Sequence, residues 1–159
     1  MTEKYTFFWK VGDDNGYLSQ WYSSPFQAGG VWFATAEHFM MAQKATLFED
    51  WEIHDKILKS KSPKEAKDLG RQVRNFDAKA WEELSEIYVF MGNLLKFSQN
   101  PEIFGKLLAT NDSILAEASP FDKIWGVGLE ESDPRILDQE NWGQNLLGKA
   151  LMKVRGVFA

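Results

Sequence analysis

The stretch Thr35-Ala-Glu-His-Phe-Met-Met-Ala-Gln-Lys44 sets the character of the chain. Thr35 is a favourable N-cap, and the i, i+4, i+7 spacing that follows places Glu37, Met41 and Lys44 along one stripe of a short helix. An acid and a cation therefore share a face. Glu37 falls in the first turn, where the positive end of the helix dipole favours the ionised carboxylate, so it suits the work of a base or of an oxocarbenium stabiliser better than that of an acid. A first-turn Glu is also what any well-capped helix favours, and the local sequence leaves both readings open.

Outward from this stretch the punctuation continues. A second helix is expected over Glu49 to Lys59, and a third begins at Ser62-Pro63-Lys64-Glu65, with Ser as cap, Pro at the first helical position and Glu65 closing a capping box. On the third helix Ala66, Leu69 and Val73 form the inward stripe, while Lys64, Lys67, Arg71 and Arg74 recur on another face, able to meet phosphates or simply solvent. Arg71 follows Gly70, where a missing side chain lets a ligand or a backbone come close. Asp77 caps a longer, central helix whose buried stripe is expected to be Trp81, Leu84, Tyr88, Met91 and Leu95. Asn100-Pro101 opens another, carrying Ile103, Leu107 and Leu108. The last, around Gln144 to Val154, buries Leu147, Ala150, Leu151 and Val154. Strands are expected at Tyr5 to Val11, Val31 to Phe33 and Ile114 to Ala116. The segment Leu18 to Phe26 has neither period, and its three aromatics, three serines and Pro suit either a pocket lining or a packed loop.

These elements make a helix-rich α+β fold with a few short strands. At 159 residues with 44% hydrophobic content, the chain suits one compact domain spanning 1–159. It has no cysteine and two histidines, His38 and His54, which leaves no disulfide framework, no thiolate metal site and little for a His-rich metal centre. The N-terminus lacks the pattern of a signal peptide, and no apolar run approaches the roughly twenty residues that span a bilayer. No membrane role is expected, and the chain reads as soluble and cytoplasmic. A net charge of −5 argues against a broad nucleic-acid footprint, so extended nucleic acid is not the favoured partner. Lys56 to Arg74 is a basic exception, sufficient for one phosphorylated small molecule.

Two later segments carry candidate chemistry. Glu117 to Gly128 contains Asp122, Trp125 and two glycines: a second carboxylate far in sequence from Glu37, a flat face, and room for close backbone approach. Paired carboxylates are a common glycosidic tool, one ionised and one protonated, although Asp before Lys in a turn is also an ordinary surface feature. Asn141-Trp-Gly-Gln-Asn-Leu-Leu-Gly148 offers amides at a helix start, suited to an anion or a polar heterocycle, or else a helix capped by Asn141. No Walker loop, dinucleotide fingerprint, nucleophile elbow or zinc-protease pair is present.

Taken in order, Gly16-Tyr-Leu-Ser-Gln-Trp-Tyr-Ser-Ser-Pro-Phe26, Thr35 to Lys44, Ala66-Lys-Asp-Leu-Gly-Arg71, Trp81, Lys96-Phe97, Asp122-Lys-Ile-Trp-Gly126 and Gly143-Gln-Asn-Leu-Leu-Gly148 resemble the NADAR superfamily, also called YbiA-like proteins. The resemblance implies an N-glycosidase acting on a phosphorylated riboside. Its substrates would be either ribosylamino-pyrimidine phosphates of the early riboflavin pathway or ADP-ribose on guanine. It further implies Glu37 and Asp122 as catalytic carboxylates, Trp81 in the site, and Lys44 as an amine able to form a Schiff base with the opened sugar. That last role needs a desolvated amine of depressed pKa. Ser19, His38, Lys67, Arg71, Trp125, Gly126 and Asn145 are the expected substrate contacts, with no metal and no organic cofactor. Two positions depart from the family pattern. Gln20 stands where asparagine is usual, and Phe39 where tyrosine often follows Glu-His. A non-catalytic module binding ADP-ribose or a nucleotide metabolite is the competing reading, and a structural interaction protein a third. The enzymatic reading requires that Glu37, Lys44 and Asp122 converge on one cavity.

Overall fold

The computed structural model describes residues 4–159. In chain order its elements are β1 (Tyr5–Phe8), β2 (Phe26–Ala28), β3 (Val31–Phe33), α1 (Ala36–Leu47), α2 (Trp51–Lys59), α3 (Pro63–Gly70), α4 (Ala78–Gln99), α5 (Pro101–Ala109), β4 (Ile114–Glu117) and α6 (Leu146–Phe158). Helices dominate and the strands are short, as the punctuation of the sequence anticipates. The chain forms two compact units, residues 20–100 and the segments 1–19 with 101–159.

In residues 20–100, α1 begins where Thr35 accepts a hydrogen bond from the His38 amide, a cap of about 1 kcal/mol. Asp50 caps α2 through the Ile53 amide, one residue beyond the expected start, because Glu49 adopts the left-handed region at φ 56°. Ser62 caps α3 as expected, but the Glu65 carboxylate accepts from the Lys61 amide, 3.1 Å away, so the box closes one residue early. β2 was not anticipated. Gly29 and Gly30 both carry positive φ (58° and 82°) and join β2 to β3 as an antiparallel hairpin pairing Phe26 with Phe33; a two-residue turn with φ > 0 at both positions matches the twist of paired strands.

The buried face of α4 differs from the expected stripe. Ser85, Val89, Gly92, Asn93, Lys96 and Phe97 are buried, whereas Trp81, Leu84, Tyr88 and Leu95 are only half-buried and Met91 is exposed. The reason is what packs there. Phe39 of α1 lies against Gly92, where an added Cβ would come within 2.7 Å of the ring, and Phe39 also meets Phe26 and Phe33 with ring centroids 5.8 and 5.2 Å apart. Burial of each such ring stabilises by roughly 1.5–3 kcal/mol, which outweighs the cost of turning polar residues inward when they find partners.

In the other unit β1 and β4 pair in parallel, Tyr5 opposite Ile114 and Phe8 opposite Glu117. The β1 strand stops at Phe8 rather than Val11, and turns occupy the remainder. A core of Ala116, Ala118, Val127, Leu129 and Ile136 is covered by Phe7 and Trp142. Leu147, Ala150, Leu151 and Val154 of α6 are buried as expected. The helix starts at Leu146 with Asn145 at its N-cap, whereas Asn141 instead donates to Arg135 O at 3.0 Å. No described helix is long and apolar enough to cross a membrane.

Candidate active site

Within residues 20–100 the structure brings Glu37, Lys44, Arg71 and Trp81 into one neighbourhood. Met41, between Glu37 and Lys44 on α1, packs against Gly70, where an added Cβ would fall 2.1 Å from its sulfur. The bare position thus admits the Met41 side chain of α1, rather than a ligand. Glu37 is buried, 7% exposed, and its amide donates to Gln20 O at 3.0 Å. Lys44 Nζ lies 4.6 Å from the centroid of the Phe76 ring and 5.7 Å from that of Trp81, and Trp81 stacks on Tyr88 at 6.1 Å. Burial lowers the Lys44 pKa, the Arg71 charge lowers it further, and Glu37 opposes both. Both charges therefore act on the amine, in opposite directions. An amine of lowered pKa near aromatic rings is the kind of group that attacks an electrophilic carbon.

Lys67 lies with its Nζ 6.0 Å from the Trp21 ring centroid. The basic stripe expected on α3 is divided, because the helix ends at Gly70 and the later cations follow other geometry. Arg71 faces Asp68 at 3.7 Å and remains largely exposed. Arg74 is held structurally, donating to both oxygens of Asp50 at 2.8 and 3.1 Å, with its amide adding a 2.8 Å bond. Lys64 pairs with Asp68 at 3.0 Å. Arg71, whose charge acts on Lys44, is therefore the cation of this segment placed for an anionic group there.

His38 is turned inward, 2% exposed. Its Nε2 lies 3.2 Å from Ser60 O and its Nδ1 2.7 Å from Thr35 Oγ1. Since a carbonyl only accepts, Nε2 carries the proton and Nδ1 accepts from the threonine hydroxyl. Burial lowers its pKa, against the hydrogen bond to Ser60 O, which raises it.

Ser19, Asp122, Trp125, Gly126 and Asn145 belong to the other unit. Ser19 is half-buried, its amide bonded to Gly16 O at 3.0 Å. Asp122 Oδ1 accepts from the Ile124 and Trp125 amides at 2.9 and 2.8 Å, a turn that fixes the carboxylate beside the Trp125 backbone. Gly126 admits no side chain, since a Cβ would sit 2.9 Å from both Asp122 O and Glu117 O. Asn145, at φ 50°, donates to Leu115 O at 3.0 Å and accepts from the Glu117 amide at 3.2 Å. It splices the loop onto the end of β4.

Sequence reasoning passed over one residue. Lys96 is fully buried, its Nζ 5.0 Å from the Phe97 ring and 5.8 Å from that of Tyr22, and burial lowers its pKa to about 7. The clue was its place in the Lys96-Phe97 pair, three residues beyond Asn93 and so on the same face of α4. Phe76 and Trp21, the rings beside Lys44 and Lys67, carried no individual signal.

The sequence pattern of the NADAR domain matches residues 7–159. The chain is 42% identical to an N-glycosidase of Acanthamoeba polyphaga mimivirus, over 97% of this chain and 96% of the relative. It is 31% identical to N-glycosidase YbiA of Escherichia coli, over 96% of this chain and 87% of the relative. A riboflavin biosynthesis protein of Vibrio vulnificus is 29% identical over 96% of this chain, which spans 38% of that longer protein. The NMR structure of E. coli YbiA superposes with a TM-score of 0.81 at 29% identity, covering 99% of this chain and 86% of that one. A match of sequence pattern, curated relatives and fold along essentially the whole length means that this chain belongs to the NADAR domain family.

Proposed function

We propose that this chain is an N-glycosidase that hydrolyses the bond between a nitrogen and the anomeric carbon of a phosphorylated riboside. The observation that carries this reading is the Lys44 amine, its pKa lowered by burial, near the Phe76 and Trp81 rings and under the influence of the Glu37 and Arg71 charges. Relatives named as N-glycosidases support the reaction class. Hydrolysis adds water across the bond: carbon takes hydroxide, and nitrogen leaves with the proton. Glu37, in the first turn of a capped helix, stabilises positive charge growing on the sugar ring. Arg71 and Lys67 meet phosphate, and the rings beside Lys44 offer flat faces to a planar base. Asp122 is assigned the second carboxylate role by family resemblance, and loss of base release in Asp122→Asn tests it.

Of the two substrate groups, ribosylamino-pyrimidine phosphates are favoured by the Vibrio vulnificus relative named for riboflavin biosynthesis. ADP-ribose on guanine is the second. The deciding experiment is incubation with a ribosylamino-pyrimidine phosphate and, separately, with ADP-ribosylated guanosine, read as release of free base. Release from the pyrimidine substrate is the expected result. Tight binding of either compound without release overturns the hydrolase and leaves a binding module.

A further inference from the structure

One face of α4 is joined to the segment that enters β2 by successive polar contacts. Asn93 Nδ2 donates to Gln20 Oε1 at 2.8 Å, Lys96 Nζ faces the Tyr22 ring, and Asn100 Nδ2 donates to Pro25 O at 3.2 Å. Gln99 and Gln27 exchange two bonds of 2.8 Å. The first of these contacts has a consequence for the site. Gln20 is also the residue whose carbonyl accepts the Glu37 amide at 3.0 Å, so Asn93, Gln20 and Glu37 are linked by two consecutive hydrogen bonds. Asn93 is itself fixed, fully buried and donating to Val89 O at 2.9 Å.

The pair is a poor device for stability alone. Gln20 Nε2 and Asn93 Oδ1 are buried without a hydrogen-bond partner among the described residues, and buried unmet polar atoms destabilise a fold. An apolar pair of the same volume would hold α4 to the segment without that penalty. What only the amide pair supplies is a directional bond that fixes the Gln20 main chain, and through it the amide that opens α1.

We propose that Gln20 and Asn93 are positioning residues for Glu37, holding the first turn of α1 so that its carboxylate meets the substrate in register. The proposal rests on the glycosidase reading. It also gives a physical role to the departure at position 20, since the longer glutamine is the side chain that reaches Asn93 here.

The test uses Gln20→Met, Asn93→Leu and the double variant, which keep side-chain volume and delete the bond. Three quantities are measured: kcat and KM for base release, the thermal midpoint, and hydrogen exchange of the Glu37 backbone amide by NMR. The expected result is a kcat about tenfold lower or more with KM within about twofold, as for a misplaced catalytic group. Glu37 exchange should be about tenfold faster, and the midpoint unchanged or raised. The double variant should lose no more than either single, because all three break one bond. An unchanged kcat with unchanged Glu37 protection in the double variant overturns the proposal, as does a raised KM with kcat intact, which would mark a substrate contact. Should the double variant not fold, Gln20→Asn replaces it, with the same kcat loss expected and wild-type kcat overturning the idea. If the wild-type protein releases neither base, the glycosidase reading fails by itself, and Glu37 exchange alone then decides whether the pair holds the helix start.

Discussion

The amine of Lys44 lies 5.7 Å from the centre of the Trp81 ring, so the last turn of α1 meets the first turn of α4 through a cation and an aromatic face. The Phe76 ring lies nearer still, its centroid 4.6 Å from the amine. Burial among these rings is the largest cause of the lowered Lys44 pKa. Replacing Phe76 and Trp81 with alanine should expose the amine and return its pKa toward 10.5. Less neutral amine is then present at pH 8, and Lys44 should react more slowly with an acylating reagent. Peptide mapping of acylated lysines against pH checks this; an unchanged rate would show that the rings do not desolvate the amine.

Glu37→Gln should lower base release by about 10²–10⁴-fold, the usual range for a positioned acid–base group, while the thermal midpoint stays close to wild type. The same change should act on Lys44. Glu37 raises the amine pKa, so its neutralisation drops that pKa further and speeds acylation at pH 8. Borohydride added during wild-type turnover should reduce a substrate-derived imine on Lys44, detectable by mass spectrometry. Recovery of only unmodified Lys44 would remove the covalent route and leave direct hydrolysis by water.

Lys96 gives the protein a pH dependence with a definite sign. The folded amine titrates at about 7, the unfolded one near 10.4. Between those values the unfolded chain binds more protons, so stability rises with pH by up to about 1.4 kcal/mol per unit. Below pH 7 both states are protonated and the burial penalty is fully present. Lys96→Met should remove this slope and raise the midpoint most at and below neutrality. Urea melts at pH 7 and pH 9.5 measure it, and parallel slopes for wild type and variant would rule out the assignment.

Asp50 and Arg74 hold α2 to the chain beyond α3. Hydrogen bonds from the Arg74 side chain, then from its amide, hold the Asp50 carboxyl far below the ordinary carboxylate range. That stabilisation is complete above the unfolded pKa near 4 and is lost as pH falls below it. Asp50→Asn should lower the midpoint by several degrees at pH 7, also weakening the α2 cap, and should flatten the acid limb of the stability curve. Thermal melts from pH 7 to pH 3 test it, and coincident acid limbs would refute it.

Much of the fold was legible because its signals are local. Thr35, Asp77 and Ser62 terminate helices through their own side chains and nearby amides, so a window of four residues contains the whole interaction. Leu147, Ala150, Leu151 and Val154 repeat at the helical period and are buried. The β2–β3 hairpin is readable in principle from Gly29-Gly30; its second strand, Val31 to Phe33, announces itself by its β-formers, whereas Phe26-Gln-Ala28 continues a segment without period and carries no such signal.

What the sequence by itself determined was the helix-rich class, the caps, and the pairing of Glu37 with Lys44 on one helix, since each depends on bonds or spacings within a few residues. Tertiary structure decided which face of α4 is buried, because Phe39 fills the space at Gly92 and Asn93 finds Gln20, and no periodicity encodes a partner from a distant segment. It also decided that Arg74 belongs to Asp50, and that Phe76 joins Trp81 around Lys44. Desolvation and pairing are sums over neighbours, and neighbours distant in sequence exist only once the chain has folded.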